Sequence, residues 1–301
     1  MNDGPELSVI LVSFNDRSHL AGCLESVRTA SAGLSAEVIL VDNHSADGSP
    51  EFVRESFPWV KLIVNDHNAG FAKANNAGIK SSGGRFMLFL NTDTVVLPGS
   101  LAALLAGLKR RPDAGAIGPA LVRGDGRFQV SFGKDIGFFS ELRQKIILNP
   151  YYKIALRHAR RVRSVGWLSG ACLLARRGAV GAAGLFDESF FIYFEDIDLC
   201  RRIRDLGLDL LYDPGVRVVH FGGATTAPRR SSSRLYYRES QLHYYEKHGA
   251  GLSVFLLRIF LRFSLLRLKL FRVRAAEDRA LLGRLEDKMR KRHQADSPWT
   301  D

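Results

Sequence analysis

The chain has 301 residues, with 43 Lys and Arg against 31 Asp and Glu, which gives a net charge of +12 at neutral pH. A hydrophobic content of 46% is that of a globular protein and excludes a disordered tail, a collagen-like chain and a coiled coil. The positive charge is confined to residues 123–165, at net +7, and 226–301, at net +9, while the remainder is net −4. This distribution argues against a body that wraps around nucleic acid.

The cysteines and the apolar segments indicate the compartment. Cys23, Cys172 and Cys200 are odd in number and widely spaced, which argues against a disulfide framework or a zinc site and favours a reducing environment. The polar, acidic N-terminus does not resemble a signal peptide. The most apolar stretch, 252–271, is interrupted by four basic residues, so we expect no spanning helix. We therefore expect a cytoplasmic protein, peripheral on the cytoplasmic face of the membrane.

The first 117 residues alternate between apolar runs and amphipathic stretches. The runs predict strands over 7–14, 37–41, 60–64, 85–90 and 114–117, and helices are expected near 17–30, 49–57, 70–80 and 99–110. Strands that alternate with helices of about 10–15 residues indicate right-handed βαβ units and an α/β fold. In such folds ligands bind at the carboxyl ends of the strands, so polar residues just after each strand are the candidate site residues.

The alternation stops after Gly118. Residues 123–165 are basic and aromatic and show no clear periodicity. Further strands are predicted over 165–175, 208–212 and 216–220, with an acidic aromatic stretch at 186–202, a linker at 225–233 and a helical tail over most of 234–292. We therefore expect one domain over 1–225, with 123–165 as an insertion, followed by a linker and a basic helical extension over 226–301.

Four polar clusters follow predicted strands. They are Ser13-Phe14-Asn15, Asp42–Ser45 with Asp47-Gly48, the segment 68–78, and Asn91–Thr94. Taken singly, each can be explained as turn or helix-cap chemistry, and an Asp such as Asp93 is more often a turn residue than a metal ligand. Their joint placement at one edge of one predicted sheet favours a binding site.

A denser acidic cluster lies in the second half of the chain. Its five carboxylates are those of Asp187, Glu188, Glu195, Asp196 and Asp198, among five aromatic residues. Aromatic surroundings disfavour an ionised carboxylate unless a cation or a hydrogen bond compensates, and the start of a helix favours anions. The structural alternative is an acidic first turn paired with Arg201 and Arg202. His220 ends a predicted strand, where an imidazole facing an Asp is a reasonable ligand for a divalent metal ion.

Seven motifs in order resemble family 2 glycosyltransferases, and most closely their bacterial rhamnosyltransferase-like branch. They lie at Ser8–Asn15, Val41–Ser45, Asn68–Gly78, Leu90–Val96, Ser169–Leu174, Phe186–Arg202 and His220–Thr225. The resemblance covers about three-quarters of the chain but neither 123–165 nor 234–301 to any useful extent. It implies the GT-A fold, a Rossmann-like, mostly parallel sheet flanked by helices.

The resemblance also implies roles for individual residues. The nucleotide-sugar would lie against Ser13, Asn15, Asp42, Asn43, Gly70, Phe71, Lys73, Asn75, Asn91 and Asp93, with Asp42 accepting the N3–H of uracil or thymine. Asp93 and His220 would hold Mn²⁺ or Mg²⁺, and Asp196 would be the general base. The acceptor side would include Trp167, Gly170, Glu195 and Asp198. The triplet Asn91-Thr92-Asp93 departs from the family's metal-binding D-x-D because its first acid is missing.

These roles agree with the chemistry of sugar transfer. A diphosphate leaving group develops negative charge that a divalent metal ion can bridge, and oxygen ligands with one imidazole suit Mn²⁺ or Mg²⁺. An acceptor hydroxyl needs a base, for which a carboxylate within about 3 Å is adequate. A single base without a covalent nucleophile implies in-line displacement with inversion.

The sequence thus predicts an inverting, metal-dependent glycosyltransferase. We expect it to move a sugar, with rhamnose favoured, from a dTDP- or UDP-sugar to a glycan or a diphosphate-lipid-linked glycan in cell-envelope polysaccharide synthesis. One alternative is a nucleotide-sugar-binding protein with decayed catalysis, supported by the missing acid of the triplet. A nucleotidyltransferase does not account for the acidic cluster at 195–198, and no recognised reader motif supports a nucleic-acid-binding protein.

The tail segment 251–274 has the pattern of an interfacial helix. At about 100° per residue, Arg258, Arg262, Lys269 and Arg272 fall within roughly 80° of one another and leave a broad apolar surface. Such a helix can lie on an anionic membrane, where the basic block 123–165, on the acceptor side, would suit a diphosphate-linked lipid. The alternative is a helix that packs back on the domain or forms an oligomer contact.

Overall fold

A mixed sheet of ten strands organises the structure, a computed structural model that describes residues 4–134, 136–137, 161–222, 230–249, 251–270, 283, 284 and 287. The strands in the described ranges are β1 (Leu7–Ser13), β2 (Ala36–Asp42), β3 (Lys61–Val64), β4 (Phe86–Asn91), β5 (Thr94–Val96), β6 (Ala114–Val122), β7 (Phe128–Gln129), β8 (Phe132–Gly133), β9 (Arg163–Ser164), β10 (Trp167–Leu168), β11 (Cys172–Arg176) and β12 (Asp209–His220). Strands β8 and β10 pair with each other in a separate two-stranded sheet, and the other ten form the main sheet. The helices are α1 (Arg17–Ala30), α2 (Ser49–Ser56), α3 (Phe71–Lys80), α4 (Ser100–Lys109), α5 (Arg177–Ala182), α6 (Glu195–Asp205), α7 (Arg230–His248) and α8 (Gly251–Leu270).

The main path of the sheet has the order β3-β2-β1-β4-β11-β6-β12-β5. The first four strands are parallel, and β1 pairs with β2 so that Ser13 lies opposite Asp42 and with β4 so that Val12 lies opposite Asn91. Strands β1, β2 and β4 are apolar on both faces because helices cover both sides of the sheet. The register therefore brings the polar residues that follow β1, β2 and β4 to one edge.

Two hydrophobic clusters fill the two faces of the sheet. Helices α1, α2 and α4 cover one face, and α3, α5 and α6 cover the other. Successive residues of β1 alternate between the clusters, as the two-residue period of a strand requires. Gly78 lets α3 approach the sheet, because a Cβ at this position would lie 2.5 Å from Cγ2 of Ile10.

The prediction of an α/β fold with a mostly parallel sheet flanked by helices is confirmed, although the second half of the sheet is mixed. Strand β11 runs antiparallel to both β4 and β6, and β5 runs antiparallel to β12. The apolar run at 165–175 forms two strands, β10 and β11, and the runs at 208–212 and 216–220 form one strand, β12, with a register shift between Asp213 and Arg217. Strand β5 and helix α5 were not among the predicted elements. Most of the insertion at 123–165 lies outside the described residues.

Helices α7 and α8 pack on a third cluster rather than standing away from the sheet domain. Leu235, Leu242, Leu257 and Leu261 of these helices bury their side chains with aromatic residues of the stretch at 186–202. Helix α7 begins at Arg230, within the segment expected to be a linker. None of the helices in the described ranges is long and apolar enough to cross a membrane.

Candidate active site

The ends of β1 and β2 are joined by a compact set of hydrogen bonds. Asp42 is fully buried, and its carboxylate accepts hydrogen bonds from the backbone N–H and the hydroxyl of Ser45. Asn15, at a positive φ of 52°, accepts the backbone N–H of Ala46 through its side chain. The hydroxyl of Ser13 is buried without a hydrogen-bond partner among the described residues. This edge is therefore built around a buried carboxylate and an unused hydroxyl.

Asn43 connects β2 to the turn before α3. Its amide N–H donates to the carbonyl of Gly70 at 3.1 Å, and its amide oxygen accepts from the Asn65 side chain and the Ala69 backbone. With these three bonds the side chain holds the turn in place. Asn75 is also buried, and its amide donates to the Phe71 carbonyl within α3. Lys73 is exposed on the first turn of the same helix.

Gly70 is the point where the acidic aromatic stretch meets the turn before α3. It has a φ of +86°, and a Cβ there would lie 2.6 Å from the carbonyl oxygen of Phe191. That carbonyl accepts the backbone N–H of Phe71 at 2.7 Å, and the Phe191 ring stacks on Tyr236 of α7 with centroids 4.8 Å apart. The position thus requires glycine both for its backbone conformation and for the close approach of another segment.

We expect Gly70→Ala to lower the free energy of unfolding by about 1–3 kcal/mol and to weaken binding of the nucleotide-sugar expected from the sequence. The reason is that the new methyl group must displace the Phe191 backbone. The matched control is Gly33→Ala, which has a similar φ of +79° but no atom within 4 Å of the added Cβ. Thermal unfolding and donor titration of both variants measure the difference. Equal losses in the two variants would show that backbone strain alone, not the Phe191 contact, determines the effect.

Asp93 and His220 face each other at the ends of neighbouring strands. Oδ1 of Asp93 lies 3.1 Å from Nε2 of His220, and both residues are at most 9% exposed. Burial would raise the pKa of Asp93, but the hydrogen bond and charge of His220 outweigh it and lower the pKa. The backbone N–H of Gly222 donates to Oδ2 of Asp93, and Nδ1 of His220 lies 3.0 Å from Oε1 of Gln129.

This pair fits a divalent metal ion as a partial ligand set. A carboxylate oxygen and an imidazole nitrogen are suitable donors for Mn²⁺ or Mg²⁺, and a hydrogen bond from Nδ1 to an amide oxygen leaves the Nε2 lone pair for a ligand. The described part of the chain holds no group of three or more potential metal-ligating side chains. The remaining ligands would therefore come from diphosphate oxygens and water.

Asp196 is connected to Asn91, at the end of β4, through the turn between β10 and β11. Its Oδ2 accepts the backbone N–H of Gly170 at 2.7 Å, and the carbonyl of Ala171 accepts the backbone N–H of Asn91 at 3.1 Å. Two consecutive residues of one turn thus join the first turn of α6 to the end of β4. A Cβ at Gly170 would come within 3.2 Å of Cβ of Asp196, so glycine allows this approach.

The three carboxylates at the start of α6 have different environments. Burial raises the pKa of Asp196 against the opposing effect of its backbone hydrogen bonds, and burial together with the charge of Asp196 raises the pKa of Glu195 well above its usual range. Asp196 is partly exposed, whereas Glu195 is 5% exposed and its Oε2 is buried with no hydrogen-bond partner in the part of the chain that the structure describes. Asp196 is therefore the carboxylate of this turn that is best placed to reach an incoming hydroxyl.

Asp198 has a structural role. It is fully buried and contacts Arg202 at 2.5 Å, His248 at 2.7 Å and Lys247 at 2.8 Å. Burial opposes ionisation, but these three partners lower its pKa. Lys247 also contacts Asp187 at 2.7 Å. The C-terminal end of α7 thus contacts the acidic aromatic stretch at two positions, Asp187 and Asp198.

The structure places the predicted site residues in three groups. At the strand-end edge or in the turn before α3 lie Ser13, Asn15, Asp42, Asn43, Gly70, Phe71, Asn91, Asp93 and His220. Gly170, Glu195 and Asp196 lie together at the start of α6. Trp167 packs its indole against Gly133 instead, and Asn75 and Asp198 make the internal contacts described above.

Several contributing residues were not found from the sequence. Asp16 is buried and accepts the Thr92 hydroxyl at 2.6 Å, which fixes the middle of the Asn91-Thr92-Asp93 triplet. Asn76 exchanges two hydrogen bonds with the backbone of Phe186. The repeated Asn75-Asn76 pair was a usable signal for Asn76, but nothing in the local sequence marks Gln129 as the partner of His220.

The cysteines do not provide a nucleophile. All three are buried and unpaired, and burial raises the pKa of Cys23 and of Cys200 to about 12. Cys172 is buried as well, and burial likewise raises its pKa. The thiolate form that attacks an electrophile is therefore strongly disfavoured at all three positions.

Comparisons with known proteins show the family of this chain. The family model described as glycosyl transferase family 2 matches residues 8–181. An N-acetylglucosaminyl-diphospho-decaprenol L-rhamnosyltransferase of Mycobacterium tuberculosis is 33% identical over 239 residues, covering 73% of this chain and 77% of its own length. The O-antigen biosynthesis protein RfbC of Myxococcus xanthus is 28% identical over 73% of this chain and 18% of its own length.

Solved structures share the fold at low sequence identity. A mannosyltransferase from Pyrobaculum calidifontis in complex with GDP-Man and Mn²⁺ is 17% identical, with a TM-score of 0.60 over 97% of this chain and 83% of its own. GalNAc-T7 with UDP, GalNAc and Mn²⁺ is 18% identical, with a TM-score of 0.57 over 80% of this chain and 48% of its own. These likenesses place the fold among the GT-A glycosyltransferases.

Proposed function

We propose, from the finding that this chain belongs to glycosyl transferase family 2 and is a glycosyltransferase, that it transfers a sugar with inversion at the anomeric carbon. Rhamnose is the favoured sugar. The donor would be a dTDP- or UDP-sugar, and the acceptor a hydroxyl of a glycan, most simply one linked to a lipid through a diphosphate. The observation that carries the proposal is a chain of contacts from Asp196 through Gly170 and Ala171 to Asn91, whose side-chain amide lies 3.5 Å from Nε2 of His220 in the Asp93–His220 pair.

The donor side of the proposed reaction rests on the strand-end edge. Asp42 has no solvent exposure and keeps acceptor capacity beyond its two hydrogen bonds to Ser45, which suits it to a ring N–H of uracil or thymine. The unpartnered Ser13 hydroxyl is available to the same nucleotide. Asp93 and His220 would hold Mn²⁺ or Mg²⁺, and the bound ion would stabilise the negative charge that develops on the diphosphate.

On the acceptor side the carboxylate of Asp196 performs the proton transfer. It accepts the proton of the acceptor hydroxyl as the oxygen attacks the anomeric carbon and the bond to the diphosphate breaks. The hydrogen bond from Gly170 fixes the orientation of the carboxylate, and the raised pKa of Asp196 makes it a stronger base than an ordinary aspartate. Because the described site shows no second carboxylate poised as a nucleophile, one displacement with inversion is the simplest outcome.

The Mycobacterium tuberculosis relative is named as a rhamnosyltransferase that acts on N-acetylglucosaminyl-diphospho-decaprenol. We extend this acceptor class to the present chain and place the reaction in cell-envelope polysaccharide synthesis. An acceptor of this type is held in a membrane by its lipid, so the enzyme would work as a peripheral protein on the cytoplasmic face.

A donor screen followed by a transfer assay tests the proposal. We expect dTDP-rhamnose or a UDP-sugar, with Mn²⁺ present, to raise the unfolding temperature, since a ligand at 100 times its dissociation constant adds about 2.7 kcal/mol of stability. The stabilising donor should then give product with a polyprenyl-diphosphate N-acetylglucosamine acceptor. A Glu55→Gln variant, changed at an exposed position of α2, serves as the unaffected control. If the protein binds a donor but neither transfers the sugar nor hydrolyses the donor, a nucleotide-sugar-binding protein with decayed catalysis is favoured instead.

A further inference from the structure

Helix α8 has apolar side chains on two sides, and only one side is covered. Leu257 and Leu261 are 2% and 1% exposed and pack into the third hydrophobic cluster. Leu252, Phe255 and Phe263 are 61%, 58% and 66% exposed, which makes them the most exposed large hydrophobic side chains in the described ranges. We refer to these three residues as the apolar stripe.

The apolar stripe is a continuous surface of the helix. At about 100° per residue its three members fall within roughly 80° of one another, and Phe260, which is 45% exposed, extends one border. Exposed apolar surface of this kind marks an interaction site more often than a random surface does. Because the opposite side of α8 is held by the domain, the stripe has a fixed direction relative to the active site.

The charges around the apolar stripe favour an anionic membrane over a second copy of the chain. Arg262 is exposed beside the stripe, and the guanidinium of Arg238 lies 5.1 Å from the centroid of the Phe260 ring. The sequence of α8 contains no acidic residue, and further basic residues follow at 267, 269, 272 and 274. Two copies joined through this face would bring like charges together, whereas anionic headgroups would neutralise them.

Arg258 does not take part in this surface. Its guanidinium contacts the carboxylate of Glu246 in α7 at 3.2 Å, and both side chains are largely buried. The row of four basic residues inferred from the sequence is therefore split, with Arg258 tying α8 to α7 and Arg262 facing solvent. The apolar surface is split in the same way between the third cluster and the apolar stripe.

The position of α8 links this surface to catalysis. Its covered side belongs to the same hydrophobic cluster as Phe190 and Phe194, and Phe194 directly precedes Glu195 and Asp196. The third cluster therefore connects the covered side of α8 to the segment that carries the proposed base. We propose that the apolar stripe and Arg262 insert into the headgroup region of an anionic bilayer and hold the active site at the surface where a diphosphate-linked lipid acceptor lies. The link to an acceptor rests on the proposed function; the membrane contact itself does not.

Vesicle flotation of the full chain tests the membrane contact. Phosphatidylcholine vesicles with and without about one third phosphatidylglycerol are compared for the wild type, for Phe255→Gln/Phe263→Gln and for Arg262→Gln. We expect wild-type binding to the anionic vesicles, a loss on the order of a hundredfold in the double variant and about a fivefold loss in Arg262→Gln. The matched control, Trp59→Gln/Leu206→Gln, removes two exposed hydrophobic side chains from loops outside α8 and should bind as the wild type does.

The outcomes separate the membrane proposal from its alternatives. Equal flotation of the wild type and the double variant, or no flotation of either, overturns the proposal. Self-association that the double variant loses, without vesicle binding, would show that the stripe joins two copies of the chain. Transfer to a water-soluble, short-chain acceptor, measured in parallel, should be equal in all variants. If no variant transfers sugar while flotation behaves as expected, the proposed function fails and the membrane surface stands.

Discussion

Asp196→Asn is expected to lower the rate of sugar transfer by about 10²–10⁴ while leaving the dissociation constant of the donor nearly unchanged. The substitution keeps the shape of the side chain but removes its ability to take the hydroxyl proton. The hydrogen bond from the Gly170 backbone, measured at 2.7 Å to Oδ2, can still be accepted by the amide oxygen. Single-turnover transfer and donor titration of the variant measure the two quantities separately.

The neighbouring carboxylates and the pH profile provide the controls for this prediction. Glu195→Gln should retain transfer, because Glu195 is buried and its raised pKa favours the neutral form that Gln imitates. The base must be ionised, so wild-type kcat/KM should fall as the pH drops through the pKa of Asp196, which burial raises above the usual aspartate range. Wild-type turnover by Asp196→Asn, or an acid limb that persists unchanged in that variant, would assign the base elsewhere.

The parallel half of the sheet could be predicted from the sequence because its signals are local. Each apolar run there is followed by an amphipathic helix, and the observed bounds of α1, Arg17–Ala30, coincide with the predicted 17–30. Parallel pairing then places the ends of β1, β2 and β4 together whatever the details of their packing. For this reason the strand-end residues Ser13, Asp42 and Asp93 were identified as a group.

The second half depends on long-range pairing that leaves no periodic signal. Strand β11 is antiparallel to both neighbours, and the turn that precedes it carries Gly170, whose partner Asp196 lies 26 residues away. Likewise, the ion pairs of Asp198 with Lys247 and His248 span about fifty residues. The sequence marked Asp198 as part of an acidic cluster, but only the fold distinguishes a carboxylate that secures α7 from one that can reach a substrate.

The contacts of α7 show that the C-terminal extension begins with a helix that packs on the sheet domain. Tyr236 stacks on Phe191, the hydroxyl of Ser240 donates to the Ile192 carbonyl at 2.8 Å, and Lys247 contacts Asp187. These contacts are distributed along the whole segment between Asp187 and Asp198, which carries Asp196. Helix α7 therefore supports the segment that carries the proposed base directly, while α8 presents the apolar stripe to solvent.

Removal of the divalent metal ion is expected to abolish transfer, and Asp93→Ala and His220→Ala should each weaken Mn²⁺-dependent donor binding by at least about tenfold. The structure offers two protein ligands in this pair, so the loss of either one leaves a single protein ligand for the ion. Chelation with EDTA, readdition of Mn²⁺ or Mg²⁺, and donor titration with and without Mn²⁺ measure the dependence. Gln129→Ala should weaken Mn²⁺-dependent donor binding less than either ligand variant does, because Gln129 acts only by orienting the His220 ring.

The control for this prediction is Asp113→Ala, which removes an exposed carboxylate that precedes β6. Strands β6 and β12 are parallel, and Asp113 is near the start of the pair whereas His220 ends β12, so the two lie at opposite edges of the sheet. The Asp113 variant should bind donor as the wild type does and show the same Mn²⁺ dependence. If the wild type transfers sugar at full rate in EDTA, the metal role of Asp93 and His220 fails, and their 3.1 Å contact would be an ion pair that braces the end of β12 against the Asn91-Thr92-Asp93 turn.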